Sequence, residues 1–118
     1  MKTTDVLALA SQTVTANGQS VTLPVGALTS LDVDINITAF SGATNVKFQV
    51  KRLGIDGIYY DITPAAPTNV FTGATAYSIT LAAQNSASQG FGKTIAIFWT
   101  FGTPTSPSVT FSISVVGK

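Results

Sequence analysis

Leu31-Asp32-Val33-Asp34-Ile35-Asn36-Ile37-Thr38-Ala39 is the stretch on which the reading of the fold turns. Leu31, Val33, Ile35 and Ile37 alternate strictly with Asp32, Asp34, Asn36 and Thr38. Successive side chains of a strand point to opposite faces, so this is the pattern of a half-buried strand with one face in the core and one in water. The same period returns at Val46, Phe48 and Val50 against Lys47, Gln49 and Lys51, and at Val109, Phe111, Ile113 and Val115 against Thr110, Ser112 and Ser114. No capped segment of helical period accompanies it. The chain is expected to be all β.

Working outward, about eight or nine strands are expected. The first spans Asp5 to Ala10 and continues through Thr13 to Thr15. Asn17-Gly18 reads as a tight turn into a strand from Ser20 to Leu23, which Pro24 ends because proline donates no ladder hydrogen bond. Leu31–Phe40, Asn45–Leu53 and Ile58–Ile62 read as a meander joined by turns at Ser41-Gly42-Ala43-Thr44 and Gly54-Ile55-Asp56-Gly57. Pro64 to Thr68 reads as a crossing between sheets or over a sandwich edge, and Asn69 to Thr72 as a short edge strand. Ala76 to Ala83 alternates again. Gln84 to Gly92 reads as a polar loop, and Thr94 to Phe101, apolar on both faces, as a central strand.

This many short one-sided strands pack as two antiparallel sheets face to face. The expected fold is an antiparallel β-sandwich, jelly-roll or immunoglobulin-like, with a closed barrel as the alternative. At 118 residues it is a single domain spanning 1–118, with Met1 to Gln12 a possible contact arm. The expected core comprises Val33, Ile35, Phe48, Val50, Ile79, Leu81, Ile97, Trp99, Phe111 and Ile113.

Composition narrows the function. Charged residues are 9% of the chain, histidine and cysteine are absent, and the net charge is +1. A field this weak does not steer a protein to nucleic acid or an anionic membrane, and the apolar runs are too short for membrane helices. Serine and threonine, about a quarter of the residues, take over the solvent-facing positions. Neutral hydroxyls are cheaper to desolvate than charges, which suits a surface that packs against neighbours. The start, Met1-Lys2-Thr3-Thr4-Asp5, lacks a signal-peptide pattern and reads as a chain made in the cytoplasm.

Chemistry is sparse. With no His, Cys or Glu, acid–base work falls to Asp, Lys, Arg or Tyr. Asp32 and Asp34 share a strand face, where paired carboxylates suit calcium or a glycosidic bond, but a solvated outer face accounts for them. Asp56-Gly57 is a turn signal before it is a ligand loop. Gly90-Phe91-Gly92-Lys93-Thr94 lacks the first glycine of a phosphate loop and leads into a strand. Lys47, Lys51 and Arg52 read as an edge guard against sheet-to-sheet pairing. Tyr59 and Tyr60 point to opposite faces, one to the core and one to solvent, where an exposed ring is able to stack on sugar. Trp99 reads as core. No catalytic, cofactor-binding or metal-binding residue is assigned, and no enzyme activity is expected.

From Leu31 to Ile62 an alternating strand, a second strand ending in charged residues, Asp56-Gly57, and then an aromatic followed by Tyr60-Asp61-Ile62 resemble a segment of many small bacteriophage structural proteins. The chain departs from them in having tyrosine where tryptophan is often found, and in its short Gly54-Ile55 lead-in. The resemblance implies a virion protein made in the host cytoplasm. Within that class a capsid decoration or cement protein is expected, bound to a major capsid protein or another virion protein. The alternative is a carbohydrate- or receptor-binding module of a tail, and an Asp-based enzyme comes third. Scarcity of charge adds the expectation of a homo-oligomer, a trimer being suited to threefold lattice positions.

Overall fold

A computed structural model describes residues 4–62, 68–82 and 93–118. Its strands, in chain order, are β1 (Thr4–Val14), β2 (Gly18–Gln19), β3 (Leu23–Pro24), β4 (Ser30–Ser41), β5 (Asn45–Leu53), β6 (Tyr59–Asp61), β7 (Thr68–Phe71), β8 (Thr75–Ala82), β9 (Thr94–Gly102) and β10 (Ser108–Gly117). Two antiparallel sheets result, one of four strands in the order β1-β10-β4-β8 and one of six built on β9 and β5. In the six-stranded sheet β2 and β3 lie end to end along β9, and β6 and β7 end to end along β5. The ten segments therefore fill eight strand positions.

The chain folds as one long antiparallel ribbon. Its first half, β1, β2 with β3, β4 and β5, pairs in turn with β10, β9, β8 and β6 with β7 of its second half. Two further ladders, β10 with β4 and β9 with β5, wrap the ribbon into a sandwich. This is a jelly roll, the first of the two sandwiches expected from the sequence.

Alternation places the core. Leu31, Val33, Ile35 and Ile37 of β4 and Val109, Phe111, Ile113 and Val115 of β10 face Val46, Phe48 and Val50 of β5 and Ile95, Ile97, Trp99 and Phe101 of β9, and all are buried. The ten residues expected in the core are all in it. Phe111 bridges the sheets, its ring 5.0 Å from Phe48 and 5.1 Å from Trp99 between centroids.

The sheet partition departs from the expected meander. Ser41 to Thr44 connects β4 of one sheet to β5 of the other, so of the three expected meander strands β5 and β6 alone pair as a local hairpin. Alternation says which side of a strand is buried, not which sheet holds it. Likewise Asn17-Gly18 leads from β1 into the opposite sheet instead of closing a hairpin, and no strand runs from Ser20 to Leu23. The edge of β9 is covered piecemeal there. Asn17 Oδ1 accepts from the Phe101 N–H at 2.8 Å, and Ser20 Oγ from the Ile97 N–H at 2.9 Å. The Ser20 N–H donates to the Ile97 carbonyl at 2.8 Å. Two polar side chains thus supply acceptors where ladder carbonyls are missing, as buried N–H groups require.

Three more expectations resolve by position. Thr4 to Gln12 of the expected arm belongs to β1, paired along β10 with two bulges, and Met1 to Thr3 lie outside the described residues. Residues 63–67 and 83–92, which hold most of the proline-bounded crossing and the polar loop, also lie outside them. The strands flanking the proline segment, β6 and β7, sit in the same sheet, so the change of sheet comes between β7 and β8.

Candidate functional site

The four-stranded sheet presents a solvent face of small side chains, with Asp32 and Asp34 as carboxylates on β4. Ala8, Ser114, Asp34 and Ser78 form one row across β1, β10, β4 and β8, and Ser112, Asn36 and Ala76 lie in the next. An open trough of about 630 Å³ crosses this face. Asp34 is exposed, and Asp32 accepts a hydrogen bond from Thr80 Oγ1 at 3.0 Å. The two carboxylates thus stand on the solvated face expected of them. Among the described residues no group of three or more His, Cys, Asp or Glu gathers as metal ligands.

The six-stranded sheet corrects two expectations. Lys47, Lys51 and Arg52 do not guard an edge, because β5 runs between β9 on one side and β6 and β7 on the other. Lys51 Nζ is 3.6 Å from Asp61 Oδ1, and the Arg52 guanidinium stacks 5.3 Å from the centre of the Tyr60 ring. Tyr59 and Tyr60 do take opposite faces, but neither enters the core. Tyr59 lies half-buried on the outer face against Phe98. Tyr60 pairs with Arg52 at the end of the β5–β6 ladder and stays 39% exposed. Trp99 is buried, its indole N–H donating to the Ala16 carbonyl at 3.2 Å. Of the glycine-rich stretch, Lys93 and Thr94 are described, and Lys93 is exposed.

The tip of the β5–β6 hairpin is what the sequence reading overlooked. The Gly57 N–H donates to the Gly54 carbonyl at 3.0 Å, and Gly57 itself takes φ +83°. That is a three-residue hairpin loop, the expected turn over Gly54-Ile55-Asp56-Gly57 ending in a left-handed glycine. Gly54 N–H donates to the Ile58 carbonyl at 2.8 Å and closes the ladder. The Asp56 carboxylate accepts from the Ile58 N–H at 3.0 Å and from the Tyr60 hydroxyl at 2.5 Å. A loop tied this tightly holds Ile55 wholly in solvent and Ile58 at 55% exposure. The available signal was a β-branched apolar residue inside a turn, where polar residues are usual.

The same bonds set the titration of the turn. The Tyr60 hydroxyl, then the Ile58 N–H, stabilise ionised Asp56 and hold its pKa below the ordinary carboxylate value. The Asp56 carboxylate in turn holds the Tyr60 phenol above its ordinary value. A depressed acid stabilises the fold above its unfolded pKa and loses that contribution as pH falls through the folded one. A raised phenol contributes below its unfolded pKa and loses it on the alkaline side. Asp56→Asn is therefore expected to lower the denaturation midpoint slightly near neutrality and to match wild type in strong acid. A constant difference across the whole pH range would refute the linkage.

No protein-family model matches the chain, and no curated protein sequence matches it. Among solved structures it is similar to a Bacillus endospore appendage, a disulfide-linked pilus, at 12% identity over 98% of this chain and 90% of that one, with TM-score 0.42. It is similar to the SPBc2 prophage-derived protein YomS at 13% identity over 97% and 93%, with TM-score 0.41. The CBM22-1 xylan-binding domain of Paenibacillus barcinonensis Xyn10C aligns at 9% identity over 98% and 86%, with TM-score 0.44.

Proposed function

We propose that the chain is a non-enzymatic virion structural protein, a capsid decoration or cement subunit that stabilises an assembled shell by contact. The observation that carries this reading is the hairpin tip, where a hydrogen-bonded turn fixes two isoleucines in water. An isoleucine moved from water into an apolar pocket contributes about 1.5–3 kcal/mol, and a pre-ordered loop loses little entropy on docking. The small Ala and Ser side chains along the trough of the four-stranded sheet support the same reading, because neutral groups desolvate at lower cost than charges, with Asp34 the one carboxylate among them.

The mechanism is mass action. A subunit that binds the assembled lattice and not its free components stabilises the lattice by its binding free energy. A trimer would engage several capsomers at once and gain from effective concentration. Attachment through apolar contacts resists raised salt, unlike attachment through exposed ion pairs.

The test is co-sedimentation of the purified protein with phage heads that lack it. Wild type is expected to pellet with the heads in moderate salt. Ile55→Ser and Ile58→Ser, with unchanged circular dichroism, are each expected to weaken retention by roughly tenfold or more. Wild type that stays in the supernatant, or variants that bind as well as wild type, would overturn the proposal.

A further inference from the structure

The outer face of the six-stranded sheet carries an aromatic group framed by carboxamides. One cross-strand row reads Gln19, Phe98, Gln49 over β2, β9 and β5, and the next sets Lys51 of β5 opposite Asp61 of β6. From β6 the Tyr59 ring leans across to Phe98 and meets it edge to face, 4.9 Å between centroids at 76°. The polar groups are tied to one another around the rings. Gln19 Nε2 donates to the Tyr59 hydroxyl at 3.2 Å and Gln49 Nε2 to Asp61 Oδ1 at 2.9 Å, while Lys51 Nζ lies 5.3 Å from the centre of Phe98.

Neither core packing nor solubility requires this arrangement. Phe98 is half-buried on a face that the opposing sheet does not cover. Of the side chains around it, Gln19 and Gln49 both donate and accept, Asp61 accepts and Lys51 donates. After the bonds above, Gln19 and Gln49 each keep a carbonyl oxygen and an N–H, and Asp61 keeps Oδ2. Lys51 and Asp61 cancel in charge beside the rings.

We infer that this face is a saccharide-binding platform for neutral pyranose oligomers. A pyranose offers a patch of C–H groups to an aromatic ring, while its equatorial hydroxyls each need a donor and an acceptor at the rim. Phe98 and Tyr59 supply the apolar surface, and Gln19, Gln49 and Asp61 the rim. The row spans two strand spacings, about 10 Å, the length of a disaccharide. Lys47 stands one row away on the same face, but the Asp61 carboxylate at the rim repels a phosphate or sulfate and accepts from a neutral sugar's hydroxyl. This inference is independent of the hairpin tip, since Ile55 and Ile58 belong to neither row.

The test is an array of neutral and acidic oligosaccharides followed by titration calorimetry with the strongest hit. Wild type is expected to bind a neutral di- or trisaccharide. Phe98→Ala is expected to lower its affinity about tenfold or more, and Gln49→Ala, which leaves the rings in place, by a smaller factor. Ile55→Ser is expected to bind the sugar as wild type does, which separates failure of this platform from failure of particle attachment. Wild type that binds no saccharide on the array or only anionic ones, or binding that survives both Phe98→Ala and Gln49→Ala in folded protein, would overturn the assignment.

Discussion

Phe111→Ala is expected to lower stability by about 3–5 kcal/mol, the usual range for truncating a buried phenylalanine. Phe111 has no exposed surface and is the one ring that the four-stranded sheet sends between Phe48 and Trp99 of the other. Phe48 also meets Phe71 edge to face at 6.0 Å, so a cavity at position 111 removes the support of a chain of rings. Strands on both sides are locked by ladders, which leaves the site little room to collapse. The check is urea denaturation, with the midpoint falling and the slope unchanged. Phe111→Leu, which keeps most of the volume, is expected to lose less. A double-mutant cycle of Phe48→Leu with Phe111→Leu is expected to give about 0.5–1.5 kcal/mol of coupling, the usual gain of an edge-to-face pair. A Phe111→Ala midpoint close to wild type would mean that the sheets are not held together at this point.

Why this core was legible and the partition was not follows from what alternation encodes. The β4 pattern Leu31, Val33, Ile35, Ile37 states which side chains are buried, because a register slip of one residue would put them all in water. It does not state which sheet receives them. Ser41-Gly42-Ala43-Thr44 looks like a hairpin turn, but the strand after it crosses to the opposite sheet and β4 pairs with β8 and β10, which follow about forty and seventy residues later. Long-range pairing of this kind leaves no local trace. The candidate surfaces divide in the same way. Asp32 and Asp34 were readable as a solvated face because their strand was readable. Lys51 was readable only in part: Asp61 faces it across the local β5–β6 hairpin, but the contact with Phe98 and the strands on both sides of β5 are set by a sheet order that the sequence does not display. Ile55 was visible as an anomaly within a turn, but its exposure depends on how the Asp56 carboxylate fixes the loop.

Gly42→Ala is expected to cost about 2–5 kcal/mol, more than the same change at either of two comparison glycines. Gly42 takes φ +77°, a conformation that costs an L-residue roughly 1–2 kcal/mol. A methyl group there would also collide with backbone, pressing on the Ser106 carbonyl and lying 2.9 Å from Pro107 Cα. Overpacking of this kind adds about 1–3 kcal/mol. The obstructing loop cannot retreat freely. Its Thr105 N–H donates to the Gly42 carbonyl at 2.7 Å, and Thr103 and Ser106 already sit at φ +45° and +51°, where non-glycine residues are strained. Gly57 separates the two causes, because it has φ +83° but no atom within 4 Å of where a methyl group would stand. Gly57→Ala is expected to lose only the conformational part, and Gly73→Ala, open and without a positive φ, almost nothing. Gly42 lies in the turn that leads into β5 and the isoleucine tip follows the far end of that strand, so Gly42→Ala should lower the folded fraction without changing how the folded protein binds. Equal losses at Gly42 and Gly57 would show that the loop at 103–106 yields to the added methyl, and that the interlock of the two turns does not hold that end of the sandwich.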